Sequence, residues 1–127
     1  MIIFARKRTR VSFSCNFFCV GGYMKFIRQE DNVLIVTLPE EIDHHKTSEL
    51  AEQIDETLLN GTADKVIFDF AKTTFMDSSG IGLLVGRYRK VHSFGGQVLV
   101  CNVTGHMAKI LQLSGVEKFI GKYEGTV

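Results

Sequence analysis

The chain has 127 residues, 45% hydrophobic and 23% charged, a composition typical of a globular domain and unlike that of a disordered or fibrous chain. This length allows one hydrophobic core and is too short for two independent domains. The net charge of +1 conceals an asymmetry: residues 1–23 carry four basic residues and no acidic one, which leaves 11 basic and 14 acidic residues over 24–127. A mildly acidic domain is a poor candidate for binding nucleic acid, and we expect no such partner.

The three cysteines bear on the cellular compartment. Cys15, Cys19 and Cys101 are odd in number and form no Cys-x-x-Cys pair. A disulfide framework needs an even set, so the count favours a reducing compartment, and we expect a cytoplasmic protein. Cys101 ends an apolar segment and is predicted to be a small buried hydrophobic residue.

The first 23 residues resemble a signal peptide only in outline. Polar residues interrupt the apolar run from Val11 to Val20, no Ala-x-Ala-like cleavage site follows, and the run is too short to span a membrane as a helix. We therefore expect no membrane association. The codons for residues 20–24 can hold a GGNGG run before ATG, like a bacterial ribosome-binding site, so we expect translation to begin at Met24. A disordered or partner-binding arm and a targeting signal are the alternatives for residues 1–23. An intact mass of the natively expressed protein that includes residues 1–23 would contradict the start at Met24.

The domain begins with two predicted strands and a helix. Lys25 to Gln29 and Val33 to Leu38 are strand-like, and the second lacks alternation, which predicts burial of both faces. Asp43 is a candidate N-cap for a helix from His44 to about Asn60, which Gly61 ends. Its predicted buried stripe consists of Leu50, Ala51, Ile54 and Leu58.

A strand and a second helix flank the most informative residues of the chain. Lys65 to Phe70 is predicted to be a buried strand, and helical spacing begins at Ile81. The inward positions of this helix are Ile81, Leu84, Val85, Tyr88 and Val91, with Arg87, Arg89 and Lys90 expected on other faces. Asp77 to Gly80 therefore lie at the helix start, where a Ser or Asp side chain can cap unpaired amides.

This helix start has an ordinary and a functional interpretation. Asp77, Ser78 and Ser79 could form a simple N-cap. Gly80, Gly82 and Gly86, however, each cost about 1 kcal/mol relative to alanine within a helix, so their presence needs a reason. Either the helix packs tightly on its own sheet, or the missing side chains leave a surface for a partner. A helix N-terminus also tolerates negative charge, so a phosphate on Ser78 would not unfold the domain.

The C-terminal third continues the alternation of strands and helices. Gly95 and Gly96 predict a turn into a strand over Gln97 to Asn102. Thr104 is a candidate N-cap for a third helix that Gly115 ends, with Met107, Ile110 and Leu111 facing inward. Phe119 to Tyr123 could form a short strand or begin a last helix. These elements predict an α/β fold, with helices packed on a mixed β-sheet.

Enzymatic and metal-binding interpretations find little support. Ser78 and Ser79 lie outside any Gly-x-Ser-x-Gly elbow, so we expect no catalytic residues. His44 and His45 are adjacent and cannot share a helix face, so no metal site is expected. Gly80, Gly82 and Gly86 approximate a dinucleotide fingerprint with the third glycine one position late, and no Walker A sequence is present. We expect no cofactor, while nucleotide binding stays an alternative that isothermal titration with ATP, GTP and NAD would test.

Four motifs in order resemble a known family. The sequences EIDHH from Glu41, FMDSSGIG from Phe75, GRYRK from Gly86 and GGQVLVCN from Gly95 are similar to the STAS domain of anti-sigma factor antagonists, in particular the stage II sporulation type of endospore-forming bacteria. The resemblance covers Met24 to Tyr123, so residues 24–127 are expected to be a STAS domain. That family usually carries a fourth helix near the C-terminus, whereas this sequence ends at Val127, so a truncated C-terminal helix is expected.

The resemblance implies a function. In the family, the unphosphorylated antagonist binds a protein that is both anti-sigma factor and serine kinase, which releases the sporulation sigma factor. The kinase phosphorylates the serine after the aspartate, here Ser78, and a protein phosphatase reverses this. Partner binding is expected of Ser78 and of the residues around it, namely Asp77, Ser79, Gly80 and Gly82. It is also expected of Asp43, His44 and His45 at the start of the earlier helix. A general stress-response antagonist or a STAS module of another pathway are the alternatives within the superfamily.

Overall fold

The computed structural model describes residues 26–61 and 63–125, and within them the expected mixed sheet with helices is confirmed. Five strands form the main sheet in the order β1-β2-β4-β6-β7. Their bounds are Ile27–Glu30, Val33–Thr37, Lys65–Asp69, Gln97–Cys101 and Gly121–Lys122. Strand β1 pairs antiparallel with β2, and the other pairings of this sheet are parallel. The expectation for residues 1–23 lies outside the described residues.

Two very short strands were not predicted from the sequence. β3 (Glu41–Ile42) and β5 (Phe75–Met76) pair in parallel and form a separate two-stranded sheet. Two residues are too few to show a period of two, so no pattern could reveal them. The threonines that precede β5 support the pairing: the Thr73 hydroxyl donates to the Pro39 carbonyl at 2.9 Å, and the Thr74 amide donates to the Glu40 carbonyl at 2.8 Å.

Three helices follow strands as the sequence predicts. They are α1 (His44–Asn60), α2 (Ser78–Ser93) and α3 (Gly105–Ser114). Helix α1 packs against α2, and α2 packs on β6. Helix α3 ends at Gly115, whose φ of 85° is a left-handed conformation that glycine adopts without steric cost. No helix in the described part of the chain is long and apolar enough to cross a membrane.

The core lies between the central strands and the helices. Leu34, Ile35 and Val36 of β2 are all buried, which confirms that both faces of this strand are covered. In α1, Leu50 and Ile54 are buried, and Ala51 and Leu58 pack against the core as predicted. Cys101 is buried as expected. Burial, followed by the negative charge of Asp69, raises the pKa of its thiol to about 11, so the thiol is protonated at neutral pH.

The C-terminal segment takes the strand alternative rather than the helical one. After Gly115, residues Val116–Lys118 form a single 3-10 turn, and Gly121–Lys122 add β7 to the edge of the sheet beside β6. Up to Gly125, the described chain therefore has this turn and strand where the resemblance implies a fourth helix. The Tyr123 amide donates to the Val100 carbonyl at 2.7 Å and extends the pairing.

Candidate functional site

The two motifs that the sequence singled out, around Asp43 and around Asp77, lie side by side. Glu41 pairs with Phe75 and Ile42 pairs with Met76, in parallel. Helix α1 begins shortly after β3 and helix α2 shortly after β5, so the two helix starts lie at the same end of this strand pair. The Asp77 amide donates to the Ile42 carbonyl at 3.3 Å, which continues the pairing to the first residue of the site. Two segments that are distant in the sequence thus present their helix N-termini together.

Both of these helices begin with an aspartate cap. The Asp43 carboxylate accepts the Lys46 amide at 2.9 Å, three residues on, at the start of α1. The Asp77 carboxylate accepts the Ser79 amide at 2.9 Å and also the Ser79 hydroxyl. The predicted caps Asp43 and Asp77 are therefore confirmed, whereas Thr104, the third predicted cap, makes no side-chain bond to α3. Helix α2 starts at Ser78, about one turn earlier than the apolar spacing indicated.

The charge state of Asp77 follows from these bonds. The hydrogen bond from the Ser79 hydroxyl and then that from the Ser79 amide lower the pKa of Asp77 below its ordinary value of 3.8, and the positive charge that His44 can carry acts in the same direction. Asp77 is therefore ionised at neutral pH. A negative charge lies directly before Ser78.

The two serines have different surroundings. Ser79 is half-buried and its hydroxyl is bound to Asp77. Ser78 is exposed, and its hydroxyl has no hydrogen-bonding partner among the residues that the structure describes. Of the two serines, Ser78 is therefore the more exposed, and its hydroxyl is the one not bound to Asp77.

The glycines of α2 divide between tight internal packing and an open surface. Gly80 is buried, and a Cβ there would collide with Cγ and Sδ of Met76 and lie 3.4 Å from Cγ2 of Ile42. Close packing on the β3–β5 pair therefore explains why residue 80 is glycine. The expected contact with a partner is not needed to explain the absence of a side chain there. Gly82 is exposed, and a Cβ placed there would have no neighbouring atom within 4 Å, as an open surface requires.

The histidines lie in the first turn of α1 and are exposed. Nε2 of His45 is 3.5 Å from the Glu49 carboxylate, one turn along the same helix. Across residues 26–61 and 63–125, no group of three or more His, Cys, Asp or Glu side chains could hold a metal ion.

Two features of this region were not predicted from the sequence. Phe75 is 50% exposed on β5, two residues before Asp77 in the chain. Arg87 was expected on an outer face, but this is wrong, since it is buried between α1 and α2. Its spacing from Leu84 and Val91, three and four residues away, was the available signal for an inward position.

The described chain combines a mixed five-stranded sheet with a separate β3–β5 pair that brings two aspartate-capped helix starts together. The STAS domain family matches residues 25–127. The chain belongs to this family, as the motifs predicted. It is 35% identical over 95 residues to the anti-sigma F factor antagonist of Paenibacillus polymyxa, which spans 75% of this chain and 81% of that protein. It is 32% identical over 83 residues to that of Lysinibacillus sphaericus, spanning 65% of this chain and 71% of that one. These relationships place it with the anti-sigma factor antagonists, a group of regulatory proteins.

Solved structures give the same result. The anti-sigma factor antagonist SpoIIAA in its unphosphorylated form is 26% identical with a TM-score of 0.70, covering 77% of this chain and 86% of that one. The phosphorylated form of SpoIIAA from Bacillus is 27% identical with a TM-score of 0.64, covering 77% and 89%.

Proposed function

We propose that this chain is a phosphorylation-switched antagonist of an anti-sigma factor. In its unphosphorylated state it binds a cytoplasmic anti-sigma factor that is also a serine kinase, and the sporulation sigma factor is released. Phosphorylation of Ser78 by that kinase ends the binding, and a phosphatase restores it. The chain binds and is modified, and it catalyses no reaction itself.

The observation that carries this proposal is the contrast between the two serines. Ser78 is exposed at the start of α2 with a hydroxyl unbound within the described residues, whereas Asp77 holds the Ser79 hydroxyl. A kinase needs the free hydroxyl of an accessible serine. The existence of a phosphorylated form of SpoIIAA, 27% identical to this chain, supports modification in this group of proteins.

The physical effect of a phosphate at Ser78 is local. The first amides of α2 and the helix dipole tolerate a negative group, so the fold is retained. On the surface, about −1.5 to −2 charges are added next to ionised Asp77. A partner that covers this edge would have to desolvate both groups, and their mutual repulsion would remain.

The partner surface that we propose combines both helix starts. Asp43, His44 and His45 border the same edge as Asp77, and Gly82 leaves open space on α2. The exposed ring of Phe75 supplies apolar area, of the kind that interfaces bury at their centre. The chemistry expected of the partner is a basic group facing the two aspartates beside an apolar pocket.

The choice of sigma factor rests on the degree of similarity. Relatives named anti-sigma F factor antagonists are 35% and 32% identical to this chain. Anti-sigma-B factor antagonists of Staphylococcus aureus are 24% identical over 97 residues, covering 76% of this chain and 89% of that protein. The difference favours the sporulation sigma factor over that of the general stress response.

The test is phosphorylation by the anti-sigma kinase of the same genome, followed by intact-protein mass spectrometry. We expect one added phosphate on the wild type and on Ser79→Ala, and none on Ser78→Ala. Isothermal titration should show that the unmodified chain binds the kinase and the phosphorylated chain does not. No phosphate on the wild type, with a kinase that modifies a known antagonist, would contradict the proposal.

A further inference from the structure

The GRYRK motif of α2 contains a buried charge that the proposed switch does not use. Nε of Arg87 lies 2.9 Å from Oδ1 of Asp55 on α1, with the side chains 10% and 27% exposed. Nζ of Lys90 lies 3.8 Å from the other oxygen of the same carboxylate and is more exposed. One carboxylate of α1 therefore pairs with two cations of α2.

The two closest atoms of this contact depend on each other. Nε of Arg87 and Oδ1 of Asp55 are inaccessible to solvent, and neither makes a hydrogen bond within residues 26–61 and 63–125, so their 2.9 Å contact is an ion pair without hydrogen-bond geometry. Burial lowers the pKa of the Arg87 guanidinium, and the charge of Asp55 opposes that shift. Removing Asp55 would leave Arg87 as a buried charge without its partner, whereas removing Arg87 would leave Asp55 with only its longer contact to Lys90.

The position of the pair along the helices suggests its role. Helices α1 and α2 are already joined at their first residues by the β3–β5 pairing. At a rise of 1.5 Å per residue, Asp55 and Arg87 lie roughly 14–17 Å from the starts of their helices. Two helices fixed at two separated points cannot slide or rotate past each other as they could when fixed at one.

We infer that the Arg87–Asp55 ion pair is a positioning element for partner binding, which fixes α2 against α1 and so sets Ser78 relative to the turn of Asp43 and His44. Its biological meaning rests on the proposed function. Apolar contacts between helices are non-directional, whereas this contact holds two opposite charges at a defined distance of 2.9 Å. Because an apolar pair of similar size is often as stable as a buried ion pair, helix register is the property that this pair would supply.

The experiment compares an apolar replacement with a matched control in the full chain. The variant is Arg87→Met with Asp55→Leu. The control is Arg89→Met with Glu56→Leu, which removes the same two charges from nearby exposed positions. Three quantities are measured: the urea midpoint of unfolding, the relative orientation of α1 and α2 from residual dipolar couplings, and the affinity for the anti-sigma kinase by isothermal titration.

We expect the apolar variant to unfold at a similar urea concentration, with a changed helix orientation and an affinity lower by about 3- to 30-fold. Asp55→Glu, which keeps the charge, should recover most of the affinity, and the control should match the wild type. An unchanged orientation would overturn the inference whether or not the affinity falls, because a loss of affinity alone indicates direct contact. A changed orientation with the affinity of the wild type would also overturn it, because the pair would then not position the helices for partner binding.

Two further outcomes are also decisive. If the apolar variant does not fold, Arg87→Lys, which keeps the charge but not the planar group, is measured in its place and judged by the same orientation criterion. If the wild type does not bind the kinase, the proposed function fails, and the dipolar couplings alone then decide whether the ion pair positions the helices.

Discussion

The starts of α2 and α3 both follow a polar residue suited to capping, yet only one is capped by a side chain. Asp77 accepts two hydrogen bonds from Ser79, whereas Thr104 makes no side-chain cap bond to α3. The approach also differs: Asp77 follows a paired strand, and α3 follows Asn102 with a φ of 58°. An added side-chain anchor is thus found where we propose that a partner binds, which suggests that a helix start used for recognition needs tighter positioning than one that serves packing alone.

The largest expected effect is on the affinity for the anti-sigma kinase, which should depend on the start of α2 and not on the start of α3. Ser78→Glu places a permanent charge at the start of α2 and should lower affinity for the anti-sigma kinase by roughly 30-fold or more, because the charge must be desolvated beside ionised Asp77. His106→Glu adds the same charge near the start of α3 and should leave the affinity unchanged. Isothermal titration of both variants checks this. Equal losses would mean that the partner does not distinguish the two helix starts.

A pair of glycine substitutions tests the packing beneath the site. Gly80→Ala should destabilise the fold by about 1–3 kcal/mol, because the new methyl group meets buried Met76. Gly82→Ala occupies open space and should stabilise the helix by up to about 1 kcal/mol. Urea unfolding measures both. If both variants change the free energy of unfolding in the same direction, the close contact between Gly80 of α2 and Met76 of β5 does not set the effect of the new methyl group.

The charge of Asp77 gives a pH-dependent prediction. Because its pKa is lower in the folded state than the ordinary 3.8, ionised Asp77 stabilises the fold above that pH, and this contribution is lost as the pH falls through the lowered value. Asp77→Ala should therefore be less stable than the wild type at pH 7, with a difference that shrinks below about pH 4. Asp77→Asn, which keeps a capping oxygen, should lose less. A difference independent of pH would mean that charge contributes nothing.

The smallest effect is expected at the other helix. Thr104→Ala removes a hydroxyl that makes no cap bond, so stability should change by no more than about 0.5 kcal/mol. Thermal unfolding of Thr104→Ala, measured in parallel with Asp77→Ala and the wild type, gives this change in stability. A substantial loss at Thr104 would show that both helix starts depend on their caps and would remove the contrast between them.

Most of the regular elements could be predicted because their signals are local. Asp43 and Gly61 bracket α1, and the inward spacing of Met107 and Leu111 marks α3. Strands β2, β4 and β6 carry enough consecutive apolar residues to be recognised. The burial of Arg87 could not be predicted with the same security, because an arginine turns inward only when a carboxylate on another element meets it, and Asp55 lies on the preceding helix.

By itself, the sequence determined the class of fold, through the alternation of strand and helix patterns, and the two aspartate caps, through neighbours within a few residues. The choice of Ser78 over Ser79 came from the family resemblance and remains a proposal. Only the tertiary structure decided that the Asp43 and Asp77 turns share an edge, that Gly80 packs inward while Gly82 stays open, and that Asp55 meets Arg87. These features depend on the pairing of two-residue strands and on contacts between helices. Such contacts involve residues far apart in the chain, whose approach no local period encodes.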